Sequence, residues 1–251
     1  MPTVVDQAIV IRTWDFSETS QTASLLLREH GLIRGLAKGS RRAKSPFAPG
    51  LEVLTRGEIV AIVKTGTDLA NLTDWDLQEV FWAPRRDLGA HRAGLYMIDL
   101  VHHALTDHDP HPGLFDALVR ELREMEQPGR LGQALLRFQW TLLVETGYRP
   151  RLEADPPSRG QRAGPSAYTF SAEAGGLIAD DRVPEAVLKQ PGRWRVRADT
   201  VALLRRLERG EELHGDSVVT TIDRANRLLA TYLRFIIARD IPSQSAVFGS
   251  L

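Results

Sequence analysis

The spacing of apolar residues changes period near residue 82, and this change constrains the fold of the 251-residue chain more than any other feature. Before it, short apolar runs, AIVI (8–11), ASLLL (23–27), LIRGLA (32–37), EVLTRGEIVAIVK (52–64) and LANLTDW (69–75), are separated by DFSET, HG, KGSRR and TG. Those separators carry turn chemistry: Gly supplies positive φ, and Asp and Ser hydrogen-bond their own backbone. The stretch therefore reads as about five strands, too few for a sandwich but enough for a small closed barrel. The five-stranded OB-fold is the natural candidate, and an SH3-like barrel shares the pattern. After Pro84 the period is helical: Ala93, Met97, Leu100, Val101 and Ala104 form one stripe, then Leu131, Leu135, Phe138 and Leu142, then Ile222, Ala225, Leu229, Leu233 and Ile236. Pro112 opens a helix to about Glu126, and Pro128 with Gly129 breaks the chain before the next.

The fold class predicted is α+β, an N-terminal five-stranded OB-fold barrel (1–82) followed by a mainly α-helical bundle domain (83–251). Two domains suit this length, although one remains open. Within the helical part, residues 147–184 are rich in Pro, Gly and Arg, and only YTFS and GGLI look like the strands of a hairpin. This irregular insertion, bounded at 148–183, is long for a structureless loop, and no staple for it is visible in the sequence. At 43% apolar and 25% charged, the composition is that of a globular protein, and the apolar runs are too short to span a bilayer. The amino terminus lacks a basic lead into an apolar signal segment and meets Asp6 early, which predicts a cytoplasmic chain. There is no cysteine, hence no disulfide, thiol nucleophile or Cys-ligated metal.

Formal net charge is zero, yet residues 31–51 hold Arg34, Lys38, Arg41, Arg42 and Lys44 with no acid among them. Arg and Lys neutralise phosphate, and glycine lets backbone approach a ligand closely, so this loop is the first candidate for a nucleic-acid backbone site. A solvated basic turn is the plain alternative. Lys38, Lys44, Lys64 and Lys189 are the only lysines among 32 basic residues, and the arginine bias suits bidentate phosphate contacts, although genome base composition produces the same bias. Trp14, Phe16 and Phe47 are candidate stacking rings. Phe47, in a polar loop between Ser45, Pro46 and Pro49, is the one expected to be partly exposed. Arg193, Arg195 and Arg197 around Trp194 form a second candidate DNA-facing patch.

Taken in order, AIVIRTWDFSETS, LLLREHGLIRGLAKGSRRAKS, the G-x-x-P-x-L element at Gly147, Pro150 and Leu152, and Phe170 followed by Gly175 and Gly176 resemble the bacterial RecO family of recombination mediators over nearly the whole chain. The densest part is residues 8–45, with the Ser17-Glu18-Thr19 turn, the Glu29-His30-Gly31 turn and the Lys38-Gly39-Ser40-Arg41-Arg42 loop. The resemblance implies an OB-fold before a helical domain. It implies binding to single- and double-stranded DNA, strand annealing, and action with RecR and single-stranded-DNA-binding protein (SSB) to load the recombinase RecA at gaps, without enzymatic activity or cofactor. It also implies contact with the acidic, phenylalanine-ending SSB tail. On the last long helix, Leu228, Leu229, Tyr232 and Leu233 would supply the apolar surface and Arg224, Arg227 and Arg234 the charge; bundle core with solvated arginines is the alternative. Many members carry two C-x-x-C pairs around the insertion. Here the corresponding places are Asp155 and Ser158, then Ala179 and Arg182, so the insertion is zinc-finger-like without its cysteines, as in some other members, and no zinc is expected.

Catalytic alternatives find little support. His102 and His103 are adjacent on a helix and point about 100° apart, and with His108 and His111 they read as an exposed helix end rather than a metal set. The Ser17-Glu18-Thr19 turn has no histidine placed to activate a hydroxyl, and no phosphate-loop, H-E-x-x-H or G-x-S-x-G motif occurs. The rival to a DNA mediator is an OB-fold RNA-binding or translation-associated factor, since stacking and phosphate contacts do not choose between sugars.

Overall fold

The computed structural model describes residues 3–48, 51–63, 69–153, 167–178, 190–213 and 218–249. They fall into two compact units, Met1–Leu131 with Ile241–Val247, and Gly132–Asp240 with Phe248–Leu251.

The first unit is built on five strands, β1 (Thr3–Asp15), β2 (Gln21–Leu27), β3 (Gly31–Ala37), β4 (Thr55–Ile62) and β5 (Ala70–Val80), closed in the order β1-β2-β3-β5-β4 and back to β1. All pairings are antiparallel except β3 with β5. This is the OB-fold barrel expected, and each apolar run named from the sequence became its strand. Closure depends on β1, which pairs with β4 from Thr3 and with β2 as far as Asp15; a bulge between Val10 and Arg12 accompanies the change of partner. Ala8, Val10, Leu25, Ile33, Phe47, Ile59, Leu72 and Trp75 fill the interior. Gly57 is required there by space, because a Cβ would lie 2.2 Å from the Asp76 carbonyl oxygen.

Strand β2 is buried continuously from Ala23 to Leu27, so both of its faces are covered. Its outer side meets α3 (Pro112–Glu124), and β1 meets α2 (Leu88–Ala104), which follows the single turn α1 (Ala83–Arg86). The Asp87 carboxylate caps α2 by accepting from the Ala90 N–H at 2.7 Å, and Pro112 stands at the start of α3. The period change near residue 82 is thus a change of secondary structure inside one compact unit, which takes in α1, α2 and α3 with the barrel.

The second unit contains most of α4 (Leu131–Glu145), then β6 (Ala167–Ser171), β7 (Gly176–Ile178), β8 (Arg193–Arg197), α5 (Ala198–Glu208) and α6 (Val218–Ile237); the short α7 (Gln244–Phe248) closes the chain. The hairpin read from YTFS and GGLI is present, but as part of an antiparallel three-stranded sheet of order β7-β6-β8. Here lies the staple that the sequence did not reveal. The Arg151 N–H donates to the Gly175 carbonyl at 2.9 Å, the Leu177 N–H donates to the Arg151 carbonyl at 2.8 Å, and the Arg205 guanidinium donates twice to the Leu152 carbonyl at 2.6 and 3.1 Å. The G-x-x-P-x-L element and the glycine pair, far apart in sequence, are therefore one structural joint. Buried Gln139 donates to Asn226 Oδ1 at 2.7 Å, and Asn226 donates to the Gly132 carbonyl at 2.9 Å, which satisfies the polar groups within this helical core. Asp155, Ser158, Ala179 and Arg182, which bear on the zinc question, lie outside the described residues.

Candidate nucleic-acid interface

The turn after β1 and the basic loop after β3 are joined at one end of the barrel. The Gly39 N–H donates to Ser20 Oγ at 3.0 Å, the Arg41 N–H to the Thr19 carbonyl at 3.1 Å, and Ser40 Oγ to Gln21 Oε1 at 3.2 Å. Gly39 has φ +70°, a conformation that favours glycine. The Ser17-Glu18-Thr19 motif is thus a turn that anchors the loop: Phe16 and Ser17 both donate to the Ser20 carbonyl, at 3.0 and 3.1 Å. The Glu29-His30-Gly31 turn is likewise structural. Asp6, nearly buried, accepts from the Glu29 N–H at 2.9 Å and contacts His30 Nδ1 at 2.7 Å, while a Cβ on Gly31 would lie 2.3 Å from the Asp109 carbonyl oxygen.

This arrangement exposes Lys38, Arg41, Arg42 and Lys44. Arg41 is held by Asp15, and Arg34 by Asp107 at 2.6 Å. Among the described residues Lys38, Arg42 and Lys44 have no carboxylate partner. Of the three candidate rings, the one expected to be partly exposed is the buried one. Phe47 is 1% exposed and belongs to the barrel interior, because its loop folds inward and Ser45 Oγ accepts from its N–H at 3.2 Å. The exposed rings are Trp14 at 42% and Phe16 at 61%, at the end of β1 beside Asp15 and its partner Arg41. Trp14 also faces the ring of His102 from α2, with centroids 6.5 Å apart.

His102 and His103 are half-buried rather than a solvated helix end. Burial, then the Arg12 guanidinium, pushes the His102 imidazole down to about 4. Arg12 itself pairs with Asp99 at 2.9 Å, and Asp99 accepts from Ser243 Oγ at 2.6 Å. No group of three or more potential metal ligands occurs among the described residues.

A larger hollow of about 740 Å³ lies on the first unit, lined by Arg28, Arg56, Arg120 and Arg123. Its charge is already answered. Arg28 holds Asp116 at 2.8 Å, Arg56 and Arg123 share Glu79 at 2.8 and 2.6 Å, and Arg120 holds Glu121 at 2.8 Å. The Arg28 hydrogen bond keeps the Asp116 carboxyl below its ordinary range; for Glu79, burial pushes upward, but Arg123 and Arg56 outweigh it and the net direction is down. A phosphate would have to compete with these carboxylates, so the hollow is a tie between α3 and the barrel.

On the second unit, Arg193, Arg195 and Arg197 lie on β8, a sheet strand. The alternation R-W-R-V-R is compatible with a strand, and the pairing with β6 establishes it. Arg224 and Arg227 line the same groove as Arg195 and Arg197, which joins two residue sets that the sequence kept apart. The apolar half of the tail contact on α6 is not available. Tyr232 is 2% exposed and edge-on to Phe170 with centroids 5.1 Å apart, and Leu228, Leu229 and Leu233 are buried as well; Arg234 is exposed.

An OB-fold barrel with a basic loop and outward rings, in a chain whose remainder is largely helical, defines the class. The family model for the recombination protein O N-terminal domain matches residues 1–81, and that for its C-terminal domain matches residues 85–245. The DNA repair protein RecO of Rhodopirellula baltica is 30% identical over 246 residues, 97% of this chain and 89% of its own length. The RecO of Anaeromyxobacter dehalogenans is 30% identical over 202 residues, 80% of this chain and 78% of its own, and that of Myxococcus xanthus is 33% identical over 149 residues, 59% and 61%. The chain belongs to the recombination protein O family, and its role lies in DNA repair. No helix among the described residues is long and apolar enough to cross a membrane.

Proposed function

We propose that the chain is a non-enzymatic DNA-binding and strand-annealing mediator, acting in the cytoplasm on single- and double-stranded DNA with RecR and SSB to bring RecA to gaps. The observation that carries this reading is the grouping of the rings Trp14 and Phe16 with exposed Lys38, Arg41, Arg42 and Lys44 at one end of the barrel. A ring accepts any base, and a cation accepts any phosphate, so the combination grips a single strand without regard to sequence. Neutralising phosphates also lowers the repulsion that opposes the pairing of two strands. The reading with RecR, SSB and RecA is supported by family membership. For the SSB tail, Arg224, Arg227 and Arg234 remain as charges, and Tyr232 is withdrawn.

The test is an anisotropy titration of a labelled oligonucleotide over a salt series, comparing the parent with Arg41→Glu/Arg42→Glu. Each lost phosphate contact removes about 0.7 (single strand) to 0.9 (duplex) from the log-log salt slope. The double variant is expected to bind weakly with a flattened slope and to fold normally. An unchanged slope makes the loop a solvated turn. Complementary oligonucleotides should anneal without nucleotide or divalent metal, and tighter binding to matched RNA than to DNA would turn the reading toward an RNA factor.

A further inference from the structure

Ala8 and Val10 of β1 fill the barrel interior, so strict alternation would carry Arg12 and Trp14 inward as well. The bulge prevents this. Val10 pairs with interior Leu25, the register then shifts, and Arg12 pairs with Ser24, Thr13 with interior Ala23, and Trp14 with Thr22. Residues directly opposite in an antiparallel ladder share a face. Beyond the shift, therefore, Thr13 takes the inner side, and Arg12 and Trp14 are turned outward. Both then meet α2: Arg12 reaches Asp99 at 2.9 Å, and Trp14 meets His102, one helical turn on, with ring centroids 6.5 Å apart and planes tilted by 58°.

The imidazole of His102 is itself held. It is half-buried, it stands edge-on to His103 with centroids 5.0 Å apart, and its Nδ1 is enclosed without a hydrogen-bond partner among the described residues. Burial and Arg12 keep it uncharged at neutral pH, so it offers a phosphate no charge. Trp14 is 42% exposed: part of the indole rests on this ring and the remainder is open to a base. An unsupported surface indole moves among staggered rotamers, and a base that stacks on it must first freeze one of them. We propose that His102 is a positioning residue for single-strand binding, backing Trp14 from α2 so that the indole already stands in the orientation on which an unpaired base stacks. The inference rests on the DNA-binding reading above and deepens it. It extends the site from the barrel, matched by the N-terminal family model, to a helix matched by the C-terminal one.

The test uses the full chain and two labelled strands of equal length, an oligothymidylate and an abasic strand, which share their phosphates and differ in their bases. Each is titrated over a salt series. The parent is expected to prefer the oligothymidylate. His102→Ala should weaken that strand by about 2- to 12-fold, the cost of ordering one side chain. It should leave the abasic strand and both log-log salt slopes unchanged, because no phosphate contact is lost. His102→Gln, which fills the space without a ring, is expected to show the same loss and guards against a folding defect in His102→Ala. His102→Phe, which restores a ring, is expected to regain the parent's preference. In a Trp14→Ala background, His102→Ala should have no further effect. Equal weakening of both strands, a flattened slope, full affinity in both His102→Ala and His102→Gln, or an additive loss on Trp14→Ala overturns the proposal and leaves the basic loop standing. Equal binding of the two strands by the parent also overturns it, since no base then stacks. Failure of the parent to bind either strand is a different result, and it removes the DNA-binding reading itself.

Discussion

Two phenyl rings, at positions 16 and 47, separate binding from stability. Phe47 is packed among Leu51, Ile59 and Trp75 of the barrel interior, so Phe47→Ala leaves a cavity and is expected to cost about 3–5 kcal/mol in chemical denaturation. Phe16 is mostly in solvent, and Phe16→Ala should change stability by less than about 0.5 kcal/mol while weakening single-strand binding by roughly 1–3 kcal/mol. Equal affinity of the parent and Phe16→Ala would remove this ring from the interface. His102 gives a second residue-level prediction. Its folded-state pKa, about 4, lies below the ordinary histidine value of 6.5, so between those values the unfolded chain binds more protons than the folded one. Stability therefore falls as pH drops from 6.5 toward 4, and His102→Gln is expected to flatten that limb of the melting-temperature profile. The loss associated with Glu79 and Asp116, whose carboxyls are held below their ordinary ranges, begins only below their unfolded values of 4.5 and 3.8, so the two contributions are separable in one pH series.

At the scale of elements, the joint between the G-x-x-P-x-L segment and β7 is set by close backbone approach. A Cβ on Gly176 would stand 2.3 Å from the Arg151 carbonyl oxygen and 2.6 Å from the Arg151 nitrogen, with only backbone there to give way. Gly176→Ala is expected to destabilise the second unit by about 1–3 kcal/mol and to speed amide exchange in β6 and β7; unchanged exchange would show that the joint relaxes freely. Elements were the most legible level of this chain. ASLLL is apolar at nearly every position because β2 is covered on both faces, and Pro112 marks the start of α3 because a helix start has no use for its missing N–H. Strand β8 was less legible: alternation over five residues is also what a charged surface segment with two chance apolar residues would show, and only pairing with β6 distinguishes them.

At the scale of the molecule, the family models divide the chain between residues 81 and 85, whereas the compact units divide at Leu131 and Gly132, with Ile241–Val247 returning to the first. The division follows contacts rather than a change of period, and ties such as Arg28 with Asp116, 88 residues apart, and Arg34 with Asp107, 73 apart, join α3 and the end of α2 to the barrel unit. The sequence by itself determined the five strands, the helical remainder, the chemistry of the basic loop and the family, because each of these is written in spacings of a few residues or in short ordered motifs. The tertiary structure alone decided that Phe47 is core and Phe16 surface, which arginines are answered by carboxylates, and that Trp194 shares a groove with α6. Burial and charge neutralisation are properties of neighbours brought together by folding, and no local pattern specifies those neighbours.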